Sequence, residues 1–302
     1  MRHVTLAVFL APVALVALGF PGGSGGRAFA APFEPKTIPD QVQAVGHLDV
    51  DALRKTQLFT AAGGQAAIDA ALDQAPAELR PLAHSLTRSV RGVSFWRDNE
   101  HGALYVETSD GKSLARLLPK LPAKPAPAID GLSVYTMGDS DRRGYLAASG
   151  DTLVLADSTE SLQRSLRVLG GKGGNLAGSN KLPITSRQGV FVFVTIGDDL
   201  LSAIQKSAHS KVLQLAIRSV AVDVSEGAGV VTANARAEMG SADALQKARS
   251  IVEGLRTLAS LSDDATARAL LDGVTVTANG LALEVVAKVP VAELAKVIES
   301  AK

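Results

Sequence analysis

The chain has 302 residues, with 31 basic against 30 acidic and no cysteine. So even a charge balance excludes a nucleic-acid surface, which needs a concentrated positive field. The absence of thiols excludes disulfides, thiolate metal sites and cysteine nucleophiles. Aromatic residues make up 4% of the chain and none follows Phe193, which argues against sugar-binding clefts and base-stacking platforms.

The first elements in chain order read as an address. "MRH" is a short basic start, "VTLAVFLAPVALVALGF" is an apolar run interrupted by Pro12, and "PGGSGGRAFA" ends in the small-x-small pattern Ala28-Phe29-Ala30. Residues 1–30 are therefore expected to be a signal peptide cleaved after Ala30, and the protein to be periplasmic or secreted. The apolar run is just long enough to compete as a membrane anchor; the A-x-A site and the proline favour removal. Without the leader, which carries Arg2 and Arg27 and no acid, the acids are one ahead. No later segment has the apolar length of a transmembrane helix.

Next comes "QVQAVGHLDVDALRKTQLF" (41–59), a strand pattern running into a helix pattern. Alternation puts Val42, Ala44, Gly46, Leu48 and Val50 on a buried face, and His47, Asp49 and Asp51 on the other. Residues two apart on a strand are separated by about 7 Å, and His47 and Asp51 by about 13 Å. Ligand atoms must come within about 2 Å of a zinc ion, so all three cannot share one. Asp51, just before "ALRKTQLF", is expected to be the helix N-cap, which leaves His47 and Asp49 as an exposed pair. His84, on the helix "AELRPLAHSLTRS", lies off the Leu79–Leu82–Leu86 stripe and is expected in solvent. On the strand "VSFW", Trp96 points opposite Phe95; it is a partner-binding candidate if exposed, although a lone tryptophan is more often buried under a helix. His101 falls in the hairpin turn "DNEHG". A triad of a histidine with Ser89, Ser94 or Ser113 has no positive signal, but triads assemble in space.

From here one pattern recurs: an apolar strand, a capping residue, an amphipathic helix. It reads most clearly in "TLVLADSTESLQRSLRVL" (152–169), with cap oxygens at Asp157, Ser158 and Thr159 and a stripe of Leu162, Leu166 and Leu169. "ALYVETSDGKSLARLLPKL", "GVFVFVTIGDDLLSAIQK", "VVTANARAEMGSADALQKARSIVEGL" and "LALEVVAKVPVAELAKVIESA" repeat it. The layout of residues 88–118 returns in 218–248, as strand, polar turn, strand, cap and helix. The expected architecture is α+β: two related tandem domains, each a mainly antiparallel sheet with helices packed on one face. The proposed boundaries are 31–169 for the first domain, a glycine-rich linker over 170–189, and 190–302 for the second.

Several strings imitate known chemistry and lack a part of it. "GGSGG" (22–26) is a nucleophile-elbow pattern without its strand and helix. "GKS" (111–113) has Val106 where a phosphate loop needs glycine. "GDSDRRG" (138–144) puts Arg143 at a calcium-ligand position. "GGKGGN" (170–175) follows a helix and lacks dinucleotide spacing. His209 sits near a helix C-terminus, where positive charge is welcome. No cofactor is implied.

The entry "AVGHLDVDALRKTQLFTAAGGQ" resembles a loose group of exported bacterial proteins of unknown function, whose mature domain opens with "V-x-x-D-[LV]-x-A-L-R-x-[ST]-x-[LF]", echoed here by Val45 through Phe59. The resemblance covers about the first third of the chain. It implies a signal peptide and a duplicated α+β architecture, and no activity. Three functional readings stand. The first is a non-catalytic binding or scaffold protein that engages an unknown partner in the cell envelope. The second is a hydrolase or metal-dependent enzyme using His47 and Asp49 with His101. The third is a carrier of a small apolar ligand or lipid held between the domains.

Overall fold

A computed structural model of the chain describes residues 33–73, 80–111, 114, 118–121, 123–138, 143–178, 190–196, 217–260 and 272–300. The leader, His209, and most of the "GDSDRRG" and "GVFVFVTIGDDLLSAIQK" stretches lie outside these. The fold is α+β, with two sheet-bearing units: 1–42 with 47–180, and 43–46 with 181–302. The division after Asn180 falls inside the glycine-rich stretch, and the short piece Gln43–Gly46 groups with the second unit.

The first unit opens with a strap. After a 3-10 turn at Pro35–Thr37, Ile38 and Asp40 meet the segment around Leu176. The Leu176 amide donates to the Ile38 carbonyl at 2.8 Å and the Asp40 amide to the Gly174 carbonyl at 3.3 Å. A Cβ at Gly174 would come within 2.5 Å of the Asp40 carboxylate and push that side chain aside. Strand β1 (Ala44–Asp49) leads into short helices α1 (Val50–Leu53), α2 (Gln57–Ala61) and α3 (Gln65–Leu72), then α4 (Arg80–Ser89). The sheet continues with β2 (Val90–Arg97), β3 (Gly102–Thr108), β4 (Lys124–Ile129), β5 (Leu132–Met137), β6 (Gly144–Ser149) and β7 (Thr152–Ala156). Its strand order is β1-β2-β3-β7-β6-β5-β4, and the pairs from β2 to β4 are antiparallel.

Helix α5 (Thr159–Leu169) follows β7 where the sequence places it. Ser158 is its N-cap and closes a capping box with Ser161, satisfying amides that the helix start leaves open. Leu162 and Leu166 are buried as 3.6-residue periodicity requires, together with Val168, whereas Leu169, the third expected member of the stripe, is only half-buried at the helix end. Val106, Leu153 and Leu155 gather in a separate cluster with Leu114, Leu118 and Leu146.

In the second unit β8 (Phe191–Ile196), β9 (Ile217–Gly227), β10 (Val230–Met239), β11 (Val274–Asn279) and β12 (Ala282–Pro290) form an antiparallel sheet in the order β11-β12-β10-β9-β8. The β9–β10 hairpin turns on Ala228 and Gly229, both at positive φ, the combination a tight hairpin turn demands. Helix α6 (Ala242–Ser260) lays Ala244, Leu245, Ala248 and Val252 on Met239, Val276, Leu283 and Val285. Helix α7 (Val291–Ser300) starts directly after β12.

The α5 cap and stripe should be separable by equilibrium urea unfolding. Ser158→Ala should cost about 1 kcal/mol and Leu162→Ala about 3 kcal/mol. Equal small losses would mean that α5 does not hold the first core.

Candidate functional site

His47 and Asp49 share one face of β1, as alternation requires, but that face is closed. His47 is 2% exposed and Asp49 3%, a correction to the expected exposed pair. The Phe33 ring lies 5.7 Å from the His47 ring, tilted at 45°, so the strap upstream covers the strand's polar side. His47 Nδ1 and Ser94 Oγ are 2.9 Å apart. The structure thus does join a serine to a histidine, but Ser94 is also 2% exposed, and a histidine-activated nucleophile must meet its substrate.

The helix cap also differs from expectation. Asp49 Oδ1 accepts from the Ala52 amide at 2.7 Å, so Asp49 rather than Asp51 is the N-cap of α1. The cause is local: the helix begins at Val50, and Asp49 keeps extended geometry, which folds its carboxylate back over the first turn. Asp51 is free to pair with Arg91 at 3.1 Å and Arg54 at 3.5 Å. Arg54 also donates to the carbonyls of Val90, at 2.6 Å, and Thr87. Burial pushes the Arg54 pKa down, and Asp51 works against that shift.

His101 is not brought to His47. It stays at the β2–β3 turn, 3.7 Å from Asp157 and 4.0 Å from Glu160. The four strand positions from Ser94 to Asp98 span about 13 Å. His84, expected in solvent, is bracketed by Asp69 and Asp73, each at 3.2 Å. Among the described residues no group of three or more His, Asp or Glu could hold a metal ion.

Trp96 is 1% exposed, which corrects its reading as a partner-binding ring. Its Nε1–H donates to Tyr105 Oη at 2.9 Å and to Ser165 Oγ at 3.2 Å, so the indole is satisfied beneath α5. The Arg164 guanidinium lies 4.5 Å over its ring. That guanidinium also pairs with Asp98 at 2.6 Å and donates to the Gln41 carbonyl at 2.6 Å. Burial works against ionisation of Asp98, but the amides of His101 and Glu100 and the Arg164 charge outweigh it and hold the pKa below the usual carboxylate value. The Tyr105 hydroxyl is pushed up to about 12 by burial and stays a neutral hydrogen-bonding group.

Glu107 is a residue that the sequence reading passed over. It lies on β3 two positions after Tyr105, on the same side of the strand, and is half-buried beside the buried Thr108. Burial raises its pKa from 4.5 to about 7, with Asp151, Glu34 and Asp49 adding to the rise and Arg91 opposing it. A glutamate in phase with a buried tyrosine was the available signal.

Among the described residues of this unit a groove of about 500 Å³ opens between β4 and the first turns of α5. Ala126, Ile129, Val134 and Tyr145 make its apolar lining, and Asp130 and Glu160 add two carboxylates. Val134 is buried, whereas the Glu160 side chain is 77% exposed and that of Asp130 42%. Arg167 approaches Asp130 at 3.8 Å. The arrangement suits an extended apolar segment carrying positive charge.

By its architecture the chain is a two-unit α+β protein, and comparison with known proteins speaks to that fold. No family model and no curated protein matches the chain. Among solved structures it is similar to crystal form III of TP0453, with a TM-score of 0.52 and 10% identity, over 89% of this chain and 98% of that one. Crystal form IV of TP0453 matches with a TM-score of 0.50 and 10% identity, over 89% of this chain and 97% of that one. At such identity the likeness concerns the fold.

Glu107 generates a pH signature. Its pKa is higher folded than unfolded, so the folded state holds the extra proton. Its contribution is complete below pH 4.5 and is lost as pH rises toward 7. Urea unfolding should find Glu107→Gln more stable than wild type at pH 8, by on the order of 2 kcal/mol, and close to it at pH 4.5. An equal gap at both values would show that folding leaves the Glu107 pKa unshifted.

Proposed function

We propose that the chain is an exported, non-catalytic binding protein of the bacterial cell envelope, which holds an extended segment of a partner protein in the groove beside α5. The observation that carries this reading is a contrast within the first unit. The residues with catalytic character, His47, Asp49 and Ser94, are closed off and occupied with a hydrogen bond and a helix cap. The groove is open, apolar in its lining, and edged by carboxylates. Its chemistry favours small apolar residues followed by lysine or arginine. The basic start, apolar run and A-x-A site of residues 1–30 support export. The enzyme reading would need His47 or Ser94 to meet solvent, and their burial weighs against it.

A photo-crosslinking side chain at Gln163, which lines the groove, should trap one partner in intact envelopes. The pair Asp130→Lys and Glu160→Lys should abolish that product, whereas His47→Ala should lower stability and leave it unchanged. A product indifferent to the charge reversal, or no product at Gln163, would sink the proposal. Turnover lost in His47→Ala would restore the enzyme.

A further inference from the structure

The two sheets end in edges built on opposite principles. In the first unit the edge strand β4, "KPAPAI", carries Lys124 and two prolines and slips register between Ala126 and Ile129. Those are the devices that keep a sheet edge from recruiting another strand. In the second unit the edge strand β11, "VTVTAN", has no proline, no charge and an unbroken ladder to β12. Among the described residues nothing pairs with its outer side.

The ladder fixes which groups face outward. Lys288 N–H donates to the Gly273 carbonyl, and antiparallel bonding alternates along the pair. Thr275, Thr277 and Asn279 therefore bond inward to Val286, Glu284 and Ala282. Val274, Val276 and Ala278 present their amides and carbonyls to the open side. Their side chains lie on the helix-covered face, where Val276 joins the core with Leu283 and Val285. Thr275 and Thr277 are exposed on the other face.

From this geometry we infer that β11 pairs with β11 of a second copy of the chain, antiparallel about a two-fold axis through Val276. In that register Val276 meets Val276, Val274 meets Ala278, and Thr275 meets Thr277. All the outward amides and carbonyls of Val274, Val276 and Ala278 find partners, apolar side chains face apolar ones, and threonine faces threonine. A shift by one residue would oppose open groups to closed ones. The strand is thus complementary to itself in hydrogen bonding and in both faces, and its lack of charge removes the repulsion that blocks self-pairing. An edge of this length makes a small interface, so association is weak and concentration-dependent.

Sedimentation of the purified chain over a wide concentration range tests this. The wild-type mass should rise toward the dimer. The pair Thr275→Lys with Thr277→Lys sets lysine against lysine across the axis and should hold the protein monomeric. The pair Thr275→Glu with Thr277→Lys sets opposite charges against each other and should restore the dimer. Ala278→Pro, which deletes an outward N–H and no ladder bond, should weaken it. Circular dichroism checks that each variant is folded. A monomeric wild type at every concentration overturns the proposal, as does a dimer indifferent to the lysine pair. Loss of the dimer in the Glu–Lys variant overturns the register.

Discussion

The first unit depends on satisfying polar groups inside its core. Along one face of the sheet run His47 with Ser94, Trp96 with Tyr105, and then Ser165 from the covering helix. A buried hydroxyl or indole N–H without a partner costs roughly 1–3 kcal/mol, so these groups fix how α5 and the strap lie on the sheet. Arg164 is the tie: its guanidinium stacks on Trp96, pairs with Asp98 in the hairpin turn and holds the Gln41 carbonyl of the strap. One side chain joins three separate segments, and truncating it would leave Asp98 and the Gln41 carbonyl to find water in a part-closed site.

The second unit solves the same problem with less. Its described residues include only phenylalanine among the aromatics, and α6 meets the sheet through alanine, leucine and valine. On the face opposite α6, Arg236 bridges Glu238 and Glu284, and Asn234 donates to Asp223. These contacts are half-exposed, where ion pairs contribute little. The long β9–β10 ladder and the α6 contact therefore carry this unit.

What the sequence made legible follows the range of the interactions. Helix α5 was legible in outline because its cap and stripe are local: the cap fell among the three residues offered, at Ser158, and Leu162 and Leu166 are buried as expected, whereas Leu169 at the helix end is only half-buried. The shared face of His47 and Asp49 was legible for the same reason. Their burial was not, because Phe33 reaches them only once the strap has folded back. The cap at Asp49 was missed by two positions, since the exposed-face reading left no reason for the helix to start at Val50. Trp96 required knowing that Ser165 and Arg164, far along the chain, come to lie above it. The groove is a product of the sheet edge and α5 together, and no single stretch announces it.

The strap's docking site has a consequence for the order in which this protein is made. Ile38 and Asp40 bond to the segment from Gly174 to Leu176, so the beginning of the unit is closed by its end. A chain emerging N-terminus first can form the β2–β3 hairpin early, but the docking site for Ile38 and Asp40 is incomplete until residues 174–176 are available. Contacts of such long sequence separation pay their loop entropy late. Until then the strap has nothing to dock on, so its closure comes last in fixing this end of the unit.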